Sequence, residues 1–349
     1  MNQLRWGILG AARIARKNWK AIRRSGNGLV AAVASRDRDR ARQFIVDCQQ
    51  LEPFAPEPAA LGSYEELVSS SDIDAVYIPL PTGLRKEWVI RAAHAGKHVL
   101  CEKPCAVTAA DLDEMVAACR ANRVQFMDGV MFMHNPRLGQ LQAVLKDGNS
   151  LGEIHRIVSH FSFLGSGDFF SQNIRVNAAL EPLGSLGDLG WYCVRFSLWA
   201  MNWQNPLHVS GRILRASSGV PTAFSGELVW DGGVSASFYC SFIEQHQQWA
   251  SLSGVKGYLH VPDFVLPLYG NEVAFELNTV ASRMVGCDYV NERSVRRVLN
   301  PPGGLAQEAC MFRNFADQVR SGQLNEDWMR AAQLTQQVTN ECLAAARCG

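Results

Sequence analysis

A chain of 349 residues, 47% hydrophobic and 19% charged, is too long for one small core and too apolar for disorder, so two domains are expected. A formal charge of +1, with basic and acidic residues interspersed, argues against a nucleic-acid footprint or an acidic partner surface. No apolar run reaches membrane-spanning length, no signal-peptide pattern precedes the first strand, and the ten cysteines form no C-x-x-C pair. These features predict a cytoplasmic protein with reduced, mostly buried thiols, no disulfide framework and no metal site.

Arg5 to Leu9 reads as a strand, and Gly10-Ala11-Ala12-Arg13-Ile14-Ala15 as the turn into a helix reaching about Ser25. This is the layout that receives a dinucleotide pyrophosphate. Gly10 allows the tight turn, Ala15 lets helix and strand pack closely, and the helix N-terminus faces the phosphates. Gly10, Ala12, Arg13 and Ile14 are therefore cofactor candidates. Ala12 stands where the usual pattern has a second glycine, so the backbone must approach the phosphates past a methyl group. The next strand, Leu29 to Ala34, ends in Ser35-Arg36, with Arg38 and Arg40 close behind. A ribose 2′-hydroxyl is usually met here by Asp or Glu, a 2′-phosphate by hydroxyl and guanidinium donors. Ser35, Arg36 and Arg40 thus favour NADP over NAD. Asp37 points the other way, because a slip of one residue would place it on the ribose.

A Pro-rich loop over 54–58 precedes a short helix, Tyr64 to Val68. The buried strand Ile73 to Ile78 then ends in Pro79-Leu80-Pro81-Thr82, a rigid shelf suited to packing against a flat ring. The helix Leu84 to Ala95 leads through Gly96 into the apolar strand Val99 to Cys101, which closes on Glu102, Lys103 and Pro104. In an open parallel sheet ligands bind beyond the carboxyl ends of the strands. Pro104 stiffens that exit, so Glu102 becomes a cofactor neighbour and Lys103 a candidate proton donor or base, provided neighbours lower its pKa. On these residues alone a surface Glu-Lys pair is the simpler reading. Thr108 caps a helix to Asn122, and Val124 to Asp128 closes a doubly wound α/β domain over 1–128.

From Gly129 the pattern changes. A helix over Pro136 to Lys146 is followed by period-two runs at Ile154 to Phe163, His208 to Arg215, Ser225 to Trp230, Val234 to Ser241, Trp249 to Ser253 and Gly257 to Val261. Strands without intervening helices predict an α+β domain over 129–305 on a large, mostly antiparallel sheet. Asp231-Gly232-Gly233 is its hairpin turn by composition. Helices Gln307 to Arg320 and Asn325 to Ala346 fill a C-terminal segment, 306–349, expected to pack back across both domains. One helix, Gly187 to Met201, interrupts the strands. On it Asp188 and Tyr192 lie four residues apart and share a face. A phenol and a carboxylate near a lysine could pass a proton to or from a substrate oxygen, the lysine favouring the phenolate. The plainer alternative has Asp188 capping the helix and Tyr192 packing under the sheet with Trp191 and Phe196. His155 and His160, on a strand, read as sheet residues rather than metal ligands.

Gly10-x-Ala12-x-x-Ala15, Ile78-Pro79-Leu80-Pro81-Thr82, Ala95-Gly96-Lys97-His98-Val99-Leu100-Cys101-Glu102-Lys103-Pro104 and Gly187-Asp188-Leu189-Gly190-Trp191-Tyr192 occur in this order. Together they closely resemble the Gfo/Idh/MocA oxidoreductases, over essentially the whole chain. The resemblance implies a Rossmann domain followed by an α/β domain whose open sheet often serves dimerisation, with the nicotinamide near Lys103. Many members have Asp-x-x-x-His where this chain has Asp188-x-x-x-Tyr192. Tyrosine there resembles the branch containing dimeric dihydrodiol dehydrogenase and NADP-dependent xylose dehydrogenase, and the tracts Met133 to Arg137 and Phe161 to Arg175 resemble a plant and cyanobacterial group. The implied activity is hydride transfer between NADP and a hydroxyl or carbonyl of a sugar or polyol-like molecule. Tyr192 or Lys103 would serve as acid/base, with Asp188 orienting them; His134, Asn173, Arg175 and Trp191 are offered to the substrate, the plainer alternatives being Arg175 as a surface ion-pair partner, Asn173 as a loop residue and His134 as a helix-entry residue before Pro136. A non-catalytic nucleotide sensor on the same fold is the rival, and an intact Lys103 counts against it. No membrane or nucleic-acid partner is expected, and a homodimer or larger homo-oligomer through the open sheet is.

Overall fold

In the computed structural model, which describes residues 3–267, 273–299 and 304–348, short apolar runs buried on both faces build a first sheet. Its unit comprises Met1–Asn135, Ala179–Pro182 and Leu305–Gln337; a second comprises Pro136–Ala178, Leu183–Gly304 and Val338–Gly349. The first unit alternates β1 (Leu4–Leu9), α1 (Arg13–Ser25), β2 (Gly28–Ala34), α2 (Arg38–Gln49), β3 (Ala59–Leu61), α3 (Tyr64–Ser69), β4 (Ala75–Ile78), α4 (Thr82–His94), β5 (His98–Cys101), α5 (Ala109–Ala121) and β6 (Phe126–Asp128). All six strands are parallel, in the order β3-β2-β1-β4-β5-β6. The order reverses between β1 and β4, and the crevice outside their carboxyl ends is where such a sheet takes a ligand. Helix starts follow local chemistry: Ser63 and Thr108 each accept the backbone N–H three residues on, at 3.1 Å. The start of α1 differs, with Ala12 as an N-cap that offers no side-chain acceptor and no acid in the first turn.

The second unit contains α6 (Arg137–Lys146), β7 (Ile154–Leu164), a helical turn α7 (Phe169–Gln172), α8 (Trp191–Ala200), β8 (His208–Ser217), β9 (Val220–Val229), β10 (Ser235–Ser241), β11 (Ile243–Gly254), β12 (Tyr258–Val261), β13 (Val273–Val285) and β14 (Asp288–Leu299). The sheet runs β14-β13-β12-β11-β7-β10-β9-β8 and is antiparallel except where β10 lies parallel to β7. One face carries Ile157, Phe161, Phe238, Leu252 and Leu259, all buried, and α8 lies against it. There Gly190 admits the close approach: a Cβ at that position would come within 3.2 Å of Cys240 Sγ and 3.5 Å of Phe238. Beneath α8, Phe196 packs edge-on against Phe264 at 5.2 Å, beside a buried ion pair of Arg137 with Asp263 at 2.7 Å.

Helices α9 (Gln307–Arg320) and α10 (Glu326–Cys348) end the chain. The residues of α9 belong to the first unit, where Phe312 and Phe315 each sit 5.1 Å from the Trp6 ring of β1. The expected C-terminal block, 306–349, is therefore shared, since residues from Val338 onward belong to the second unit.

Strands β13 and β14 have no counterpart among the period-two runs. They pair with each other along their whole length, but β13 meets β12 only over Glu276–Asn278. Beyond Asn278 they form a two-stranded ribbon exposed on both faces, including Val280, Met284 and Tyr289. Period-two alternation marks a strand with one wet and one dry face. A ribbon wet on both sides leaves no such mark.

Candidate active site

The cofactor edge of the first unit assembles from loops at the carboxyl ends of β1, β2, β4 and β5. Gly10 has φ +118, a backbone conformation closed to most L-residues, and a Cβ there would lie 3.1 Å from Leu80 Cδ2 and 3.6 Å from Tyr64 Oη. The nucleotide turn and the Leu80-Pro81-Thr82 shelf are thus in contact. Arg13 and Ile14 form the first turn of α1, whose leading N–H groups have no intrahelical acceptor. Burial raises the pKa of the Tyr64 phenol, while the charges of Arg36 and Arg40 pull the other way, so both guanidiniums act on this same spot. Arg38 instead pairs with Glu66 at 3.0 Å. Ser35 is buried at the end of β2.

Asp37 is the N-cap of α2 and accepts the Asp39 N–H at 2.9 Å. One oxygen of the carboxylate that could have bound a ribose is thus engaged in local structure. A turn with a positive-φ glycine, an uncapped helix start, a buried serine and two arginines fits a dinucleotide carrying a 2′-phosphate.

Glu102 faces inward. Its Oε1 accepts the Tyr77 hydroxyl at 2.6 Å and the Asn18 amide at 3.3 Å, and burial followed by the Glu102 charge drives the Tyr77 pKa well up. Gly129 keeps room for it, since a Cβ there would meet the Glu102 carboxyl carbon at 3.2 Å. Glu102, expected beside the cofactor, also braces the β5 exit and is joined to the middle of α1 through Asn18.

The residue that organises this edge has no sequence signature of its own. Arg85, on α4 and 5% exposed, donates from Nε to the Leu80 carbonyl at 2.7 Å and from Nη1 to the Glu102 carbonyl at 3.0 Å, and Nη1 also reaches the Pro104 carbonyl. One guanidinium thus ties the shelf to the residues on both sides of Lys103. The one hint of it is an arginine three residues into a helix with an apolar face, a position most often solvated.

In the second unit the segment before α8 winds as a π-turn over Leu186–Gly190, a form that recurs at functional sites. Asp188 lies within it and accepts from Arg175 Nε at 2.7 Å, so it is not the helix cap of the plainer reading. Tyr192 is 7% exposed, its ring 5.6 Å from that of Phe161. Asn173 accepts the Arg175 N–H at 3.0 Å and caps the turn Ile174–Val176. Trp191 has no exposed surface and packs with Arg195, whose guanidinium carbon lies 5.9 Å from its ring. His134, in the first unit, bonds to Asn314 at 3.1 Å and meets the Trp328 ring at 5.7 Å. Among the described residues no cluster of His, Cys, Asp or Glu could hold a metal.

The sheet's outer face in the second unit holds a concavity of about 610 Å³. At its centre His160 stacks on Trp249 at 5.8 Å, and Arg156 binds Glu227, Ser235 and Ser237, each at 2.7 Å.

A nucleotide edge on a doubly wound sheet, joined in one chain to a large open sheet, defines a dinucleotide-dependent oxidoreductase. Residues 4–130 match the model of the oxidoreductase family with an NAD-binding Rossmann fold, and residues 140–260 that of the GFO/IDH/MocA C-terminal domain. The chain belongs to the Gfo/Idh/MocA oxidoreductases. It is 34% identical over 263 residues to trans-1,2-dihydrobenzene-1,2-diol dehydrogenase of Bos taurus, covering 74% of each chain. With D-xylose 1-dehydrogenase (NADP(+)) 2 of Haloferax volcanii it shares 33% identity over 258 residues, 73% of this chain and 74% of that one. Among solved structures it resembles KijD10, a 3-ketoreductase from Actinomadura kijaniata, in complex with NADP and TDP-benzene. That match has a TM-score of 0.82 at 25% identity and covers 99% of this chain and 98% of the other.

Proposed function

We propose that this chain is an NADP-dependent oxidoreductase acting on a hydroxyl or carbonyl of a sugar, polyol or diol-like small molecule. The observation that carries the reading is the Arg85 clamp, which fixes the Leu80–Thr82 shelf and the Glu102-Lys103-Pro104 exit as one rigid edge beside Gly10. The 2′-phosphate preference rests on Arg36, Arg40 and the helix-capping role of Asp37. The diol and xylose dehydrogenases and the NADP-bound ketoreductase support the substrate class and the cofactor.

When bound, the dinucleotide supplies or accepts the hydride. Lys103 and Tyr192 are the chain's two acid/base candidates, each able to take or return the proton of the substrate oxygen. Asp188 is held by Arg175 at 2.7 Å. Arg175 acts through Asp188, and Asn173 serves the turn that holds Arg175. The test is turnover on a panel of aldoses, polyols and trans-diols with NADP, then with Lys103→Ala and Tyr192→Phe. Each substitution is expected to lower kcat/KM by about 10²–10⁴, and full activity in both would remove the proposed site. Loss confined to Tyr192→Phe, with the pH profile intact in Lys103→Ala, would make tyrosine the direct proton carrier. Tight NADPH binding without turnover on any substrate would make the chain a sensor.

We further infer that the outer sheet face pairs with a second copy. The six strands β12-β11-β7-β10-β9-β8, at about 4.8 Å spacing and about seven residues of rise, present about 650 Å², within the range that one partner contributes to a standard interface. Its mixed charges, Arg156 and Arg212 with Glu227 and Glu244, suit a self-complementary two-fold contact. All ten cysteines are unpaired, and burial pushes the Cys119, Cys193 and Cys342 thiols up to about 12. Both facts fit the reducing cytoplasm proposed as its compartment.

A further inference from the structure

Between α7 and α8 the chain makes an excursion that neither sheet requires. Ala179–Pro182 belong to the first unit, whereas the residues up to Ala178 and from Leu183 belong to the second. The anchor of these four residues is the start of α4. Glu181 accepts the Thr82 N–H at 3.0 Å with one carboxylate oxygen and the Thr82 hydroxyl at 2.6 Å with the other. The Gly83 N–H donates to the Leu180 carbonyl at 3.1 Å.

Helix α4 needs such a partner. Its N-cap is Pro81, which provides no side-chain acceptor, and its first turn holds no acid, so its leading N–H groups and dipole are otherwise uncompensated. Most helices meet this need with a local Ser, Thr, Asp or Asn. Here the carboxylate arrives from 99 positions away, and ordering an exposed segment to deliver it costs entropy that a local cap would not. The approach is close: a Cβ on Gly83 would lie 2.8 Å from the Ala179 carbonyl oxygen.

What the segment joins suggests why it is kept. At one end it grips Thr82, the last residue of the shelf, whose hydroxyl also faces the Pro104 carbonyl at 3.5 Å. At the other, Arg175 holds Asp188 one turn before Tyr192. We propose that residues 173–182 are a strap and Glu181 its positioning residue, so that order at the Leu80–Thr82 shelf and order at the Arg175–Asp188 pair rise and fall together. This rests on the reading of that shelf as the nicotinamide-side wall of the cofactor site. A filled shelf holds Thr82 still, Thr82 holds Glu181, and the strap then holds Arg175 against Asp188.

The test compares the native chain with Glu181→Ala, Glu181→Gln and Gly83→Ala, reading NADPH affinity by fluorescence and amide hydrogen exchange at Arg175, Val176 and Asn177. These amides are bonded within their own turn, to Asn173 and Ile174, and not to either substituted residue. Saturating NADPH is expected to slow their exchange in the native chain and to have no such effect in Glu181→Ala. The same variant should bind NADPH about tenfold more weakly, the size of a lost cap, and raise KM for substrate more than it lowers kcat. Glu181→Gln keeps the reach and both hydrogen bonds, with the threonine hydroxyl turned round, and should recover most of the coupling. Gly83→Ala favours the helix locally but pushes the strap away, and should behave as Glu181→Ala even if that variant folds poorly. NADPH-linked protection that survives in both alanine variants would overturn the strap while leaving the cofactor site standing. Failure of the native chain to bind NADPH would overturn both.

Discussion

Arg36→Ala offers the sharpest test of cofactor choice. Arg36 and Arg40 both act electrostatically on Tyr64, whose hydroxyl lies beside the nucleotide turn at Gly10, and Asp37 is committed to the Asp39 N–H. A hydrogen bond from a charged donor contributes about 1.5–3 kcal/mol. Arg36 is exposed, and solvent screening selects the lower end of that range. About 1.4 kcal/mol corresponds to a factor of ten, so NADPH should bind about tenfold more weakly, and NADH, which lacks the 2′-phosphate, within about twofold of native. Adding Arg40→Ala should widen the gap, and raising salt should narrow it. The assay is a fluorescence titration with each reduced cofactor at two ionic strengths. Equal weakening of NADH and NADPH would refute the assignment of the β2 end to the 2′-phosphate.

Arg85→Met removes the donor to three carbonyls at a buried position and should cost about 3 kcal/mol in urea unfolding, together with NADPH affinity; an unchanged midpoint would mean the clamp is not needed. His98 gives a pH signature. Burial lowers its pKa, and Nδ1 accepts the Gln125 N–H at 2.9 Å, which requires the neutral ring. A depressed folded pKa means its contribution is complete above the unfolded value of about 6.5 and falls as pH drops below it. Stability measured from pH 8 to 5 should therefore decline on the acid side, and His98→Asn should flatten part of that decline; an identical slope would exclude the histidine. For association, Val158→Glu sets a charge between Ser237 and Ser251 on the outer sheet face and should give monomers in sedimentation, whereas a monomeric native chain would end the dimer reading.

The parallel sheet was legible because strands buried on both faces read as unbroken apolar runs, and β4 and β5 are built that way. The nucleotide turn, the shelf and the lysine exit were legible because glycine, proline and charge at a strand end are compatible with few backbone courses. Tertiary geometry supplied the remainder. Glu181 and Thr82 are too far apart in sequence for any local pattern to link them. Arg85 has the spacing of a solvated helix residue, and only its three carbonyl partners reveal the clamp. The three-residue edge strand β3 is too short for a period, and the π-turn at Leu186–Gly190 widens a helix without changing its composition.

The ribbon of β13 and β14 turns at Gly286-Cys287, and Cys287 is exposed while seven of the ten thiols are buried. The native chain thus carries a chemical handle at the tip of its longest hairpin. With the other exposed thiol, Cys348, replaced by serine, a maleimide-linked spin label or dye on Cys287 would report whether that arm stands in solvent or lies against a neighbour, with no residue of the catalytic apparatus altered.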